Sequence, residues 1–79
     1  MRTFRLDKIN LTNKVTVQHL DCSGQIRRRL LDLGICKGTV IIPIFRSMTG
    51  DSTAYLVRGS TIALRKDDAK NIHVLLTTD

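Results

Sequence analysis

The chain has 79 residues, a length that forms one domain with only a modest apolar core. Thirteen lysines and arginines oppose seven acidic residues, all of them aspartates, so the formal net charge is +6. A hydrophobic content of 42% excludes a disordered tail, and the basic charge favours an anionic partner such as a nucleic acid, a lipid headgroup or an acidic protein surface. Three aromatic residues are few for a single-strand nucleic-acid binder, which stacks bases on aromatic rings.

Neither a secretory signal nor a membrane span is predicted. The first ten residues lack the apolar core of a signal peptide, and no apolar run approaches the ~20 residues that cross a bilayer. Cys22 and Cys36 form neither a CxxC pair nor a disulfide framework. We therefore expect a cytoplasmic protein with free thiols and no membrane insertion.

The first predicted element is a strand over residues 14–20. Apolar and polar residues alternate there, which places Val15, Val17 and His19 on one face. Ser23 follows as the expected N-cap of a helix.

That helix is predicted over residues 24–33 and is followed by Gly34 as its C-terminal cap. Its apolar residues are spaced by four and then three positions, so they form one stripe that we expect to face the core. The stripe consists of Ile26, Leu30 and Leu33.

The arginine run 27–29 lies within this helix. At about 100° per residue the three side chains spread over about 200° and cannot form a single patch. Arg28 and Arg29 are spaced to pair with Asp32 on the solvent side. Leu31 lies off the apolar stripe and is either a flank of the core or an exposed apolar contact.

An apolar strand is predicted over residues 39–46. Both of its faces are apolar, which indicates either burial on two sides by barrel curvature or an exposed apolar edge that a partner covers. Pro43 cannot donate a ladder hydrogen bond and therefore favours an edge or a bulge. One face carries Val40, Ile42 and Ile44, and the other carries Ile41, Pro43 and Phe45.

The C-terminal third predicts three more strands and a helical turn. With the earlier elements, this makes about five short strands, one helix after the first strand and a short helical turn before the last. The fold class is therefore mainly β, a small, partly open antiparallel barrel. The later elements are a strand over 53–58, a type II′ turn at Gly59-Ser60, a strand over 61–65, a helical turn over 66–71 capped by an Asp, and a strand over 72–76.

No catalytic motif occurs, since the chain has no glycine-rich phosphate loop, no GxSxG and no glutamate. We therefore expect no enzyme and no catalytic residues. The weak metal-ligand candidates are His19, Cys22, Cys36 and His73, whose side chains suit Zn²⁺ or Fe²⁺. No second cluster at a recognisable spacing supports them, and a free cysteine is often a small buried hydrophobe. The expectation is no built-in cofactor, with weak Fe²⁺ or Zn²⁺ association left open.

Nucleic acid is not favoured as the partner. The basic residues are scattered along the chain, and no aromatic residue is interleaved with the arginine run. A small basic barrel that binds nucleic acid nevertheless stays as an alternative, because such barrels do bind RNA.

Two segments resemble a known family. RRRLLDLGICKGT at residues 27–39 and GSTIALRKDDAKNI at residues 59–72 are similar to the two signature blocks of the ferrous iron transport protein A family, FeoA. The likeness covers roughly residues 6–76 and extends to the C-terminal domain of iron-dependent repressors. It implies an SH3-like barrel in the cytoplasm and an accessory role for the membrane Fe²⁺ transporter FeoB, through that transporter's cytoplasmic GTP-binding portion. It implies no enzyme activity and carries no agreed metal ligands.

The sequence therefore predicts that residues 1–79 form a single FeoA-like domain that acts as a protein-interaction module. The alternatives are the nucleic-acid-binding barrel and a metal-responsive sensor domain. Apolar anchors beside arginine are typical of protein contacts. On that basis the predicted partner-binding residues are Arg27, Arg28, Leu31, Ile41, Pro43 and Phe45.

Overall fold

The computed structural model describes residues 2–77, which contain one antiparallel sheet of six strands. Two α-helices and a 3₁₀ turn over Leu6–Lys8 complete the described part of the chain. The strands are β1 (Phe4–Arg5), β2 (Val15–Leu20), β3 (Val40–Arg46), β4 (Ser52–Val57), β5 (Ser60–Arg65) and β6 (Ile72–Leu76), and the helices are α1 (Gly24–Asp32) and α2 (Lys66–Ala69). The predicted mainly β class is confirmed.

The sheet runs in the order β1-β6-β2-β3-β4-β5 and joins the two ends of the chain. Strand β6 lies between β1 and β2, with Val74 opposite both Phe4 and Val17. Strand β1 was not predicted, because two residues are too few to show an alternating pattern. It raises the number of strands to six and makes α1 follow the second strand.

The core is built from the inward-facing side chains of this sheet together with Leu6, Leu30 and Ile35. Inward-facing positions of β2 and β6 supply Val15, Val17, Ile72 and Val74, all with no exposed surface. Each such side chain stabilises the fold by roughly 1.5–3 kcal/mol relative to exposure. The remaining fully buried large side chains are Leu6, Leu30, Ile35, Ile41, Pro43, Tyr55 and Val57.

Strand β3 buries one face only. This corrects both predictions for residues 39–46, which were burial on two sides and an exposed apolar edge that a partner covers. Ile41 and Pro43 are buried in the core, so the proposal that they belong to an exposed partner-binding edge is wrong. The pairing with β4 shifts register between Pro43 and Phe45, and this irregularity leaves Phe45 58% exposed. The bulge predicted from Pro43 is therefore present, and the opposite face is exposed at Val40 and Ile44.

Helix α1 buries a single residue, Leu30, which corrects the predicted three-residue stripe. Ile26 and Leu33 are 39% and 36% exposed. The reason is the helix end: Gly34 takes a φ of +88°, and the N–H of Ile35 donates to Leu30 O at 3.0 Å. This Schellman arrangement returns the chain so that Ile35, rather than Leu33, fills the core beside Leu30.

The turn between β4 and β5 differs from its prediction. Val57 lies opposite Ser60, so the β4–β5 turn consists of Arg58 and Gly59 rather than Gly59 and Ser60. Both turn residues have positive φ, +50° and +82°, which is a type I′ turn rather than type II′.

The helix starts also differ in detail. Ser23 lies at the N-cap of α1 as predicted, but its side chain makes no capping hydrogen bond. In α2 the N-cap position is Arg65, and Asp67 and Asp68 lie in the first turn. The predicted aspartate cap is therefore wrong, although carboxylates in the first turn still interact favourably with the helix dipole.

Candidate functional site

Three predicted partner-binding residues lie together on the outer side of α1. Arg27, Arg28 and Leu31 line a shallow depression of about 340 Å³, with Gly24 and Asp32 at its margin. Leu31 is 42% exposed, so the structure assigns it to the surface rather than to a flank of the core.

A second depression of about 250 Å³ lies between α1 and β2 and shares Arg27 and Leu31 with the first. The Arg27 Nη1 atom donates to Leu20 O at 3.4 Å, which positions its guanidinium between the two depressions. Lys37 adds a cationic group on the far margin. We name Arg27, Arg28, Leu31 and Lys37 the helix surface.

The charges of this surface are not neutralised within the described chain. The predicted pairing of Arg28 and Arg29 with Asp32 does not form there; Arg29 Nη2 instead contacts Asp68 Oδ1 at 2.6 Å and links α1 to α2. No carboxylate in residues 2–77 pairs with Arg27 or Arg28. An apolar side chain flanked by unneutralised cations suits an acidic, partly apolar protein segment.

A polar cluster holds the C-terminal end of α1 against the β4–β5 turn. The buried Thr39 hydroxyl donates to Gly34 O at 3.0 Å, and Arg58 Nε donates to the same oxygen at 3.1 Å. Arg58 Nη2 also donates to Thr39 Oγ1 at 3.3 Å. Reasoning from the sequence did not find this cluster, although both Thr39 and the segment around Arg58 lie in or beside the signature blocks.

Cys36 lies at the edge of this cluster, and its thiol is free. Its Sγ atom is 3.4 Å from Thr39 Oγ1 and 3.7 Å from Arg58 Nη2. These contacts, the Thr39 one first, lower the pKa of the Cys36 thiol below its usual value. This thiol, which lines the second depression, therefore ionises more readily than that of an ordinary cysteine.

Phe45 belongs to a different surface. It lies five residue steps along β3 from Val40, the residue next to the α1–β3 loop, which corresponds to about 17 Å at about 3.3 Å per residue. It has the fully exposed Met48 three residues further along the chain. The structure therefore does not bring Phe45 together with the arginines of α1. Val40, which the sequence analysis did not name as a partner-binding residue, is 44% exposed.

The four metal-ligand candidates are only partly brought together. His19 and His73 face each other across β2 and β6, with their rings stacked 4.4 Å apart. Cys22 packs against the core, and the Cys36 thiol contacts Thr39 and Arg58. Within residues 2–77 no group of three or more His, Cys, Asp or Glu side chains is assembled to hold a metal ion.

No helix among the described residues is both long enough and apolar enough to span a membrane. No curated protein sequence matches the chain. The model of the FeoA domain family matches residues 4–76.

Solved structures agree with this match. A FeoA-like protein from Clostridium acetobutylicum is 30% identical, with a TM-score of 0.91, and the match covers 100% of this chain and 92% of that one. FeoA from Stenotrophomonas maltophilia is 26% identical, with a TM-score of 0.77, and the match covers 94% of this chain and 89% of that one. That protein was solved with zinc and is described as an SH3 domain protein and a candidate ferrous iron transport activating factor. A manganese-dependent transcriptional repressor is 19% identical over 98% of this chain and 38% of its own, with a TM-score of 0.89, which shows the SH3-like fold alone. The chain belongs to the FeoA domain family.

Proposed function

We propose that this protein is a cytoplasmic accessory protein of ferrous iron uptake. In this proposal residues 1–79 act as one non-enzymatic interaction module, and the partner is the cytoplasmic GTP-binding portion of a FeoB-type transporter. Membership of the FeoA family supports the link to ferrous iron transport.

One observation carries the choice of contact surface: Leu31 is exposed between arginines that have no carboxylate partner in the described chain. An apolar anchor surrounded by arginine is the usual composition of the energetically dominant part of an interface. The partner surface that fits it presents an apolar pocket or side chain with aspartates or glutamates around it. Phe45 is a candidate for a second, separate contact because its aromatic side chain is 58% exposed.

Nucleic acid fits this surface less well. Arg29, the third arginine of the run, pairs with Asp68, and it lines a different depression from Arg27 and Arg28. None of the residues that line the two depressions is a phenylalanine, tyrosine or tryptophan, and the one imidazole among them, His19, is already stacked on His73.

Weak association with Fe²⁺ or Zn²⁺ is a second proposed property. The observation that favours it is the stacked pair of His19 and His73, because imidazole is a common ligand for both ions. No tightly held cofactor is part of this proposal, and a metal-responsive sensor role would require the ion to alter partner binding.

The test is co-purification of the full chain with the transporter's cytoplasmic domain, carried out with GTP and GDP analogues. Leu31→Glu should reduce capture strongly, because it places a carboxylate at the centre of a contact with an acidic partner. Ile26→Glu is the matched control, since Ile26 lies on the same helix with similar exposure but outside both depressions. Circular dichroism confirms that both variants fold.

Phe45→Asp tests the second contact in the same assay. Equal capture of the parent and of folded Leu31→Glu would show that the helix surface is not the contact. Loss of capture in Phe45→Asp alone would move the contact to the far end of β3. No capture of the parent with either nucleotide analogue would contradict the proposed partner.

A further inference from the structure

A small polar pocket lies beside the turn between β3 and β4. It has a volume of about 220 Å³ and shares no residue with the two depressions beside α1. Drug-sized ligands occupy cavities of about 300–1,000 Å³, so this pocket has room only for a small ion or for one end of a larger molecule. We name it the β4 pocket, and its lining residues are Asp7, Arg46, Gly50, Thr53, Tyr55 and Lys66.

Strand β4 supplies two hydroxyl groups to this pocket. Thr53 and Tyr55 are two residues apart, so they point to the same face of the strand. They are only 7% and 1% exposed, so both are held firmly by the fold. Burial raises the pKa of the Tyr55 phenol more than its polar neighbours Thr53 and Arg46 lower it. The phenol is therefore an O–H donor at neutral pH.

Arg46 brings a cation whose position is fixed by neutral groups. It lies opposite Thr53 in the pairing of β3 with β4. Its Nη1 atom donates to Thr53 Oγ1 at 3.2 Å, and its Nη2 atom donates to Ile9 O at 2.8 Å. Neither acceptor carries a charge, and a guanidinium has more N–H donors than these two bonds use. Arg46 therefore keeps both its positive charge and spare donors for a ligand.

Lys66 brings a second cation to the pocket. Its backbone N–H donates to Asp51 O at 2.9 Å, which holds the first residue of α2 beside the β3–β4 turn. Among residues 2–77, no carboxylate forms an ion pair with Lys66 or Arg46. Asp7, the only carboxylate that lines the pocket, accepts two hydrogen bonds from Arg5, at 3.0 and 2.7 Å. The pocket therefore presents two unpaired cations beside two buried hydroxyl groups.

We propose that the β4 pocket binds the phosphate group of a small molecule, either inorganic phosphate or a phosphate monoester. A phosphate monoester carries a charge of about −1.5 to −2 near pH 7, and its oxygens accept strong hydrogen bonds. It therefore matches two cations better than a carboxylate, which carries a single charge. Arg46 and Lys66 supply the positive charge, and Thr53 and Tyr55 supply hydroxyl groups. This site goes beyond the proposed contact with the transporter and does not depend on it.

A neighbouring depression has room for the rest of a monoester. Its volume is about 520 Å³, and it meets the β4 pocket at Lys66, which lines both. Its other lining residues are Asp51, Ser52, Arg65 and Asp67. The carboxylates among them accept hydrogen bonds from hydroxyl groups and repel a second phosphate. We therefore expect a monoester with a hydroxylated organic part to bind more tightly than inorganic phosphate.

The experiment follows the amide resonances of the isotopically labelled full chain by NMR at constant ionic strength. The chain is titrated with inorganic phosphate, with glycerol 3-phosphate and with acetate. The proposal predicts saturable shifts around Gly50, Thr53 and Lys66 for the two phosphates. Lys66→Gln should weaken phosphate binding by about tenfold or more, the usual scale for a hydrogen bond to a charged group. Tyr55→Phe should have a smaller effect, because it removes a neutral donor and keeps the buried ring.

Lys37→Gln is the matched control, because it removes the same charge at a residue outside both polar depressions. It should leave phosphate binding unchanged; equal weakening by Lys37→Gln and Lys66→Gln would show only a general attraction to the net charge of +6. Acetate that binds as tightly as phosphate would overturn the assigned ligand. The absence of saturable shifts in the parent with either phosphate would overturn the site, whatever the variants do.

The two phosphates distinguish the two sources of the group. Tighter binding of glycerol 3-phosphate, with shifts that extend to Ser52 and Asp67, would support the site and identify a monoester as its ligand. Equal affinity for the two, with shifts confined to the β4 pocket, would support the site and identify free phosphate.

Discussion

Strand β4 and helix α1 use apolar residues in opposite ways. Strand β4 buries four of its six residues, including Tyr55, whereas α1 buries one of nine. Yet α1 carries three large apolar residues, and two of them, Ile26 and Leu31, are exposed. Leu33, the C-cap residue that follows the helix, is exposed as well. Most apolar residues of β4 are used by the core, whereas most of those of α1 are not. The helix therefore offers apolar surface to a partner, as do Val40 and Phe45 of β3.

The largest expected effect is at the single buried residue of the helix. Leu30→Ala should lower the free energy of unfolding by about 2–5 kcal/mol, because it removes buried methyl groups and leaves a cavity. Ile26→Ala, the matched control on the same helix, should cost less than about 1 kcal/mol because that side chain is already partly in solvent. Urea denaturation measures both, and equal losses would contradict the one-anchor description of α1.

The next largest effect on stability is expected at the C-terminal end of α1. Gly34→Ala should cost about 1–2 kcal/mol for the left-handed backbone alone. An added Cβ would also lie 3.2 Å from Arg58 Cδ and disturb its hydrogen bonds to Gly34 O and Thr39. Gly24→Ala has a similar φ with nothing near the new Cβ, so it should cost less. Thermal denaturation of the two variants checks this order.

A smaller effect concerns the reactivity of Cys36 toward alkylating reagents. Its pKa is lowered by Thr39 and then Arg58, so the thiolate fraction near neutral pH is larger than for an ordinary cysteine. Arg58→Gln should raise that pKa, and the alkylation rate of Cys36 should then reach its half-maximum at a higher pH. Cys22, in the same chain, is the internal reference; an unchanged Cys36 profile would show that Arg58 does not act on the thiol.

The smallest effect is expected at the ion pair between the helices. Arg29→Ala should lower the free energy of unfolding by about 1 kcal/mol, because the Arg29 side chain is 57% exposed, although that of Asp68 is only 15% exposed. Added salt should reduce the difference further. Arg28→Ala, which removes an arginine with no carboxylate partner in the described chain, should leave stability unchanged, and a larger loss there would show a structural role for Arg28.

Five of the six strands were predictable from the sequence, because alternation in a short chain leaves few arrangements; β1 is too short to show it. The segment 72–76 matches β6 in both bounds. The faces of β3 were not predictable, because both faces are apolar and the bulge after Pro43 changes which residues point inward. The burial of α1 was not predictable from its periodicity, because Ile35, beyond the helix, fills the core position that the pattern gave to Leu33.

The helix surface was only partly predictable from the sequence. Arg27, Arg28 and Leu31 are adjacent on one helix, so local geometry places them together. Lys37 joins them through the fold of the chain, which no spacing reveals. The same holds for the separate cluster of Thr39 and Arg58 at the end of the helix. The pairing of Arg29 with Asp68 rather than Asp32 has the same cause, since a long-range partner competes with the local one.

The most direct measurement of the central claim is NMR mapping of the isotopically labelled chain with the transporter's cytoplasmic GTP-binding domain. The account predicts that amide shifts on binding cluster around Arg27, Arg28, Leu31 and Lys37 and are suppressed by Leu31→Glu. Shifts confined to the far end of β3 around Phe45, or no shifts with either GTP or GDP analogue present, would contradict it.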